Sequence, residues 1–316
     1  MSDSLPVVHV ALATYNGQPW IRRQVETILG QEGVQVRLTV SDDGSTDGTR
    51  EWVEALAKAD DRVRLLPRRS GPSHVADNFF HALRRLDVQP GQFAAFADQD
   101  DLWQPHKLRD QVALLRSAEA DAVSANVTAF AVKEDGSTHQ ALIRKDHPQV
   151  KWDFLFEAPG PGSTHLFSHR GWKTLVAYLD QWGCEGVAVH DWLDYVVLRA
   201  AGLKWVIDPR SHVAYRQHDR NVAGAHRGWA AVRTRYRLLR SGHYREQFLL
   251  MTEAARRAAQ AAGRGPAFLA ALDGWKGRLA DESWKGRLAV AARARQMRRR
   301  PRDQVSLAAA ALLRAW

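Results

Sequence analysis

Four times in its first hundred residues the chain follows a short apolar run with a polar loop. In the first three units a helical spacing of apolar residues comes next. Residues 7–13 lead through Tyr15-Asn16-Gly17 into a pattern at Trp20, Ile21, Val25, Ile28 and Leu29. Residues 36–40 run into Ser41-Asp42-Asp43-Gly44-Ser45-Thr46-Asp47, and Trp52, Val53 and Leu56 follow. Residues 63–66, a Gly-Pro turn and a helical span at 74–86 make a third unit, and residues 93–97 open a fourth. Short runs with β-branched residues read as strands, and strands that alternate with helices imply parallel crossovers. The expected fold is α/β, a mostly parallel Rossmann-like sheet flanked by helices. Ligands of such sheets bind beyond the carboxyl ends of the strands, where each polar cluster falls.

Beyond residues 121–131 the alternation loosens. Ala158-Pro159-Gly160-Pro161-Gly162 reads as a loop before a strand at 164–167, residues 191–201 read as a helix, and 205–207 and 213–216 as two short strands. From Trp229 onward the chain is rich in Ala, Leu and Arg with no strand signal, which predicts helices. The division expected is an α/β domain over 1–226, split near 131 into two halves, and a basic helical region over 227–316. Trp-Lys-Gly-Arg-Leu-Ala occurs at 275–280 and again at 284–289, and two copies make no solenoid.

A net charge of +10 first suggests nucleic acid, so its location matters. Residues 227–316 hold 20 Lys+Arg against 6 Asp+Glu, whereas residues 1–226 hold 25 against 29. The basicity belongs to the tail. Nucleic-acid recognition would want basic residues interleaved with stacking aromatics on a platform, and that pattern is missing. Cys184, the single cysteine, cannot form an internal disulfide, and the first residues lack the basic and apolar regions of a secretory signal. The cytoplasm is the expected compartment, and no apolar run reaches the ~18 residues of a membrane span.

The sharpest chemical feature is Asp98-Gln99-Asp100-Asp101, three acids in four positions directly after the run at 93–97. Crowded carboxylates repel unless a cation sits between them, and all-oxygen ligands favour Mg²⁺ or Mn²⁺ completed by substrate phosphates. Taken alone, the cluster fits a solvated acidic loop that caps the next helix equally well. The acids of Asp42-Asp43-Gly44-Ser45-Thr46-Asp47 could meet a nucleobase N–H or a ribose hydroxyl, or simply cap a turn. A nicotinamide-dependent oxidoreductase would place G-x-G-x-x-G after the first strand, where Thr14-Tyr15-Asn16-Gly17-Gln18-Pro19 stands instead. A nucleotidyltransferase would carry a Gly-rich loop there as well. A binding module with a degenerate catalytic site is the remaining alternative.

In order and spacing, Ala13-Thr14-Tyr15-Asn16-Gly17, Asp42-Asp43-Gly44-Ser45-Thr46-Asp47, Asn78-Phe79 and Asp98-Gln99-Asp100 resemble the family-two inverting glycosyltransferases with the GT-A fold. The resemblance runs from residue 7 to about 225. It implies a nucleotide-sugar donor, dTDP- or UDP-linked, with Asp43 at the base, Thr14, Tyr15 and Asn16 beside the nucleotide, and Asn78 and Gln99 in the donor site. It also implies that Asp98 and Asp100 hold a divalent metal and the diphosphate. Asp191, in Val189-His190-Asp191-Trp192, stands where the family commonly has its catalytic base, with an N-cap as the plainer reading. Gly162 and Ser163 fall at the acceptor floor, and Trp192 could stack on a sugar. Trp152, Trp172 and Trp182 share that possibility, although a tryptophan is more often core. Tyr215-Arg216-Gln217-His218-Asp219-Arg220-Asn221 resembles a segment of the rhamnosyltransferase-like subset, which makes His218 a candidate metal ligand and Arg216 a candidate diphosphate partner.

What the resemblance implies is a metal-dependent hexosyltransfer by single displacement, with dTDP-rhamnose as leading donor and a glycan or lipid-linked acceptor in surface polysaccharide synthesis. The tail is expected to rest on an anionic inner leaflet through Arg298-Arg299-Arg300 and the apolar Leu312, Leu313 and Trp316.

Overall fold

Side-chain alternation along the central strands divides the interior in two. β1 (Val7–Thr14), β2 (Gln35–Asp42) and β4 (Phe93–Ala97) are buried on both faces over most of their length. Val8, Val10 and Leu12 enter one core with Phe93, Ala95 and Ala97, while Ala11 enters the other with Ala94 and Phe96. This period of two is the pleat of the strand. The computed structural model describes residues 4–70, 74–132, 138–217 and 242–313.

β3 (Val63–Leu65), β2, β1 and β4 lie side by side, all parallel. β8 (Leu166–Ser168), β6 (Ala122–Val132), β9 (Trp205–Arg216) and β5 (Leu102–Trp103) continue the sheet, and β7 (Thr138–Ile143) pairs with β6. The parallel arrangement expected from the sequence holds across the first four strands. Beyond β4 the sheet is mixed: β8 is antiparallel to both β4 and β6, and β6 is parallel to β9. Residues 205–207 and 213–216 belong to one continuous strand, whose pairing with β6 shifts register around Asn126. That bulge has a polar anchor, because Asn126 Nδ2 donates to the Pro209 carbonyl at 2.7 Å. The strand expected at 164–167 begins later, after a 3₁₀ turn at Gly162–Thr164.

Helices α1 (Ile21–Leu29), α2 (Thr49–Ala59) and α4 (Lys107–Ser117) contribute to one core, and α3 (Val75–Arg84), α5 (His169–Trp182) and α6 (His190–Ala200) to the other. The C-terminal helices are α7 (His243–Ala261), α8 (Pro266–Ala280), α9 (Trp284–Ala291) and α10 (Pro301–Leu312). Phe248, Met251, Leu272, Trp275, Val290 and Leu307 all enter the second core, so the basic region shares its interior with the α/β part. Trp275 lies edge-on to Phe156 and Trp152, at centroid distances of 5.3 and 6.2 Å. Among the described residues no helix is long and apolar enough to cross a membrane.

Trp275→Ala is therefore expected to destabilise the whole chain by roughly 3–5 kcal/mol, the usual cost of emptying a buried aromatic site. Urea unfolding followed by fluorescence should show one shifted transition. A separate early transition with the main one unmoved would mean that the C-terminal helices fold as an independent unit.

Candidate active site

Register places the functional loops together. Thr14 pairs with Asp42 and Leu12 with Ala97, so the carboxyl ends of β1, β2 and β4 are level. Gln99 joins the first loop to the third: its Oε1 accepts from Thr14 Oγ1 at 2.6 Å and Tyr15 N at 2.9 Å, and its Nε2 donates to the Tyr15 carbonyl. Gly17 permits this approach, since a Cβ there would sit 2.3 Å from Gln99 Oε1. Asn16, in the left-handed region at φ 47°, joins the first loop to the second by accepting from Thr46 N and donating its own N–H to Ser45 Oγ. Asn78, buried on α3, accepts from Ser41 Oγ at 2.6 Å and donates to the Thr14 carbonyl. Within the described structure Thr14, Asn16, Asn78 and Gln99 thus brace the loops, while Tyr15 lies exposed at their mouth. Asp43 accepts from Arg69 at 3.0 Å and from the His74 backbone N–H at 3.1 Å.

Beside these loops the carboxyl groups crowd. Burial and the charges of Asp100 and Asp191 push Asp98 up to about 8, against a weaker opposing pull from the Ser163 hydroxyl. Burial, Asp98 and Asp100 hold Asp101 well above the carboxylate range. Asp101 accepts the Arg216 backbone N–H, and Arg216 Nε donates to the Asp100 carbonyl with the guanidinium 4.6 Å from the Phe130 ring. Lys107 is wholly buried on α4, its Nζ 3.6 Å from the Trp103 ring centroid, and burial lowers it to about 7 against the attraction of Asp101.

Beneath them is a floor. Gly162 admits the His190 ring, whose Nε2 would lie 2.0 Å from a Cβ at that position. His190 stacks on Phe79 with centroids 3.7 Å apart, and burial keeps it far below the usual imidazole range. His165 is fully buried between two acceptors, Asp194 Oδ2 at 2.8 Å and the Gly160 carbonyl at 3.2 Å. Two acceptors need two protons on the ring or one on Asp194. Asp191 sits in the first turn of α6, whose N-cap is Val189, so it does not cap the helix. Its Oδ1 is buried with no hydrogen-bond partner among the described residues. Burial pushes Asp191 up to about 6, opposed by His165 and Lys145 and reinforced by Asp194.

Several expectations need correction. Trp192 is no sugar platform: it is buried, its indole N–H donates to the Phe154 carbonyl, and it lies edge-on to Phe248. Trp152 is core, and Trp172 Nε1 donates to the Leu83 carbonyl. Arg298 and Arg299 are not surface anchors. Arg299 is buried and paired with Asp153 and Glu157, and Arg298 lies 4.0 Å from Glu157. His218 and Trp316 lie outside the described residues. Among the described residues no set of three or more His, Cys, Asp or Glu side chains is arranged as a metal cage. Asn126, Lys145, His165 and Asp194 carry no sequence signal of their own as site residues, and Arg299 reads from the sequence only as part of the basic tail.

The sheet and its flanking helices are those of a GT-A glycosyltransferase. The chain belongs to glycosyl transferase family 2, whose sequence profile matches residues 9–179. It is 30% identical over 242 residues to the dTDP-rhamnosyl transferase RfbG of Shigella flexneri, covering 75% of this chain and 81% of that one. Two solved structures share the fold at low identity. S. aureus TarS 1-349 in complex with UDP-GlcNAc superposes with TM-score 0.52 at 13% identity, over 97% of this chain and 90% of that one. The mannosyltransferase PcManGT from Pyrobaculum calidifontis, in complex with GDP-Man and Mn²⁺, does so with TM-score 0.52 at 20% identity, over 99% and 87%.

Because Asp98 sits at about 8 in the folded chain and 3.8 ordinarily, the native state binds the extra proton between those values. Stability then falls as pH rises through that window, and the loss is complete above it. Asp98→Asn removes the penalty, so its gain in Tm over wild type should grow from about pH 4 to about pH 8 in chelator-treated protein. A pH-independent difference in thermal unfolding would refute the crowding.

Proposed function

We propose that the chain transfers a sugar from a nucleotide-sugar donor to an acceptor hydroxyl with inversion, Asp191 acting as general base. The observation that carries this is Asp191 itself: a buried carboxylate oxygen with no hydrogen-bond partner among the described residues, in the first turn of a helix and electrostatically coupled to Asp98. An oxygen with no partner among the described residues can accept the acceptor's proton, and a group raised to about 6 is a stronger base than an ordinary carboxylate yet ionised at neutral pH. The rigid floor of Gly162, Ser163 and His190 would hold the acceptor against it.

Asp98 and Asp100 supply carboxylate oxygens at the end of β4. Their crowding with Asp101 and Asp191 fits a divalent ion that takes one or two carboxylates and fills its shell with water and phosphate oxygens. Bound there, Mg²⁺ or Mn²⁺ would offset the charge that develops on the departing diphosphate. His218 is a further candidate ligand. In this reading Asp43 and Tyr15 meet the nucleoside, and Arg216, whose Nε donates to the Asp100 carbonyl, faces the diphosphate. The name of RfbG, a dTDP-rhamnosyl transferase, makes dTDP-rhamnose the leading donor, and we take the acceptor to be a glycan or lipid-linked glycan of surface polysaccharide synthesis.

Activity should rise with pH through a limb near 6, where Asp191 loses its proton. Asp191→Asn should lower transfer by at least ~10²-fold while dTDP-rhamnose still stabilises the protein thermally, and Asp100→Ala should abolish Mn²⁺-dependent turnover. Full turnover by either variant removes that residue from the mechanism.

For the acceptor's location, we infer peripheral attachment to the cytoplasmic face of an anionic membrane. Trp284 and Leu288 on α9, and Val305, Leu312 and Leu313 at α10, are exposed large apolar side chains, and Lys285, Arg295, Arg300 and Arg302 are exposed near them in sequence. Apolar side chains with flanking cations suit an anionic bilayer interface. Trp284→Ala combined with Val305→Ala and Leu312→Ala should abolish flotation with vesicles containing phosphatidylglycerol. Flotation equal to wild type would rule this surface out.

A further inference from the structure

The acceptor floor depends on a residue far from it in sequence. The segment before α10 runs beneath the Gly/Pro loop, with Ala294 and Met297 in or against the core. The Gln296 carbonyl accepts the Trp152 backbone N–H at 2.9 Å. Arg299 follows, and its side chain is 2% exposed. Its backbone N–H donates to Glu157 Oε1 at 2.6 Å, its terminal guanidinium nitrogen donates to the Ala158 carbonyl at 2.5 Å, and its Nε lies 3.3 Å from Glu157 Oε1. Asp153 is 3.8 Å from the same nitrogen and accepts from the Tyr195 hydroxyl at 2.9 Å, joining the clamp to α6.

From that clamp the loop is bonded step by step to the reacting end of the site. The Pro159 carbonyl accepts from Ser124 Oγ, the Gly160 carbonyl from His165 Nε2, and the Pro161 carbonyl from Thr164. Gly162 then meets His190, the residue before Asp191. The buried guanidinium donates one hydrogen bond, to the Ala158 carbonyl, and lies within ion-pair range of Glu157 and Asp153, so here it holds backbone rather than a solvated carboxylate. The field of Arg299 also reaches Lys145, which acts in turn on Asp191.

We propose that Arg299 is a positioning residue for acceptor binding: from the C-terminal helical region it locks the loop at 157–162 under the acceptor, and it leaves the donor loops alone. The donor loops are held by Gln99, Asn16 and Asn78, whose hydrogen-bond partners among the described residues lie in those loops and not at 157–162. The proposal rests on the acceptor side lying at Asp191, as inferred above.

Arg299→Met, Arg299→Lys and Glu157→Gln separate the possibilities in the full-length chain. With Arg299→Met, amide hydrogen exchange over 157–164 should quicken at least tenfold, while exchange over 14–18 and the thermal shift given by dTDP-rhamnose stay at wild-type values. With dTDP-rhamnose as donor and an n-octyl rhamnoside as acceptor probe, the ratio of transfer to hydrolysis by water should fall at least tenfold. Arg299→Lys, which keeps one donor for the Ala158 carbonyl, should recover part of both effects. Glu157→Gln, which leaves that bond in place, should give a milder change and guards against an Arg299→Met chain that does not fold. Unchanged exchange at 157–164, or equal loosening of 14–18, overturns the proposal. A wild-type chain that neither transfers nor hydrolyses any nucleotide sugar would instead defeat the functional reading and leave the exchange result standing on its own.

Discussion

Asp98 lies between other carboxyl groups, with Asp100 and Asp191 acting on it and Asp98 and Asp100 acting on the buried Asp101, and this repulsion is the constraint on which the site depends. Carboxyls placed this way stay protonated or await a counter-charge, because a low-dielectric surrounding makes each additional negative charge costly. The surroundings supply only partial relief. Lys107 is itself buried, which lowers it to about 7 and weakens it as a counter-charge, and Arg216 offers backbone and guanidinium N–H groups to Asp101 and the Asp100 carbonyl. The arrangement favours a ligand that brings cation and phosphate together.

Around that charge cluster the chain spends its polar side chains on rigidity. Gln99, Asn16 and Asn78 are short amides that bind backbone groups of neighbouring loops, so the donor side is set by the carboxyl ends of three parallel strands. The opposite side of the site, the proposed acceptor side, has no such set of strand ends to rely on. Its loop is held instead by His165 on Asp194, by His190 packed into the gap that Gly162 leaves, and by Arg299 reaching in from the C-terminal helices. Removing a buried group of this kind strands its partners, which is why such networks act as units.

Much of the donor half was legible in the sequence because its signals are local. Strand–loop–helix periodicity, the acidic run at 98–101 and the motif order lie within contiguous windows, and the structure places them at one sheet edge. The acceptor half was less legible. Trp192 reads as a sugar platform until its indole N–H is found on the Phe154 carbonyl. Arg298 and Arg299 read as part of a solvated basic tail, yet their partners are Glu157 and Asp153, some 140 positions earlier in the chain. Burial of a charged residue is invisible to composition, since it depends on which distant carboxylate arrives beside it.

The sequence by itself determined the alternating architecture, the family of the chain and the identity of the crowded acids, because pleat period, turn chemistry and loop position are short-range properties. Only the tertiary structure decided how the acceptor half is built: the antiparallel β8, the bulge at Asn126 and the sharing of one core between the α/β part and the basic helices. It also decided which arginines face solvent and which carboxyl groups, Asp191 among them, keep a buried oxygen without a partner among the described residues. Those outcomes come from long-range packing, where side chains far apart in the chain compete for the same volume and the same buried hydrogen bonds.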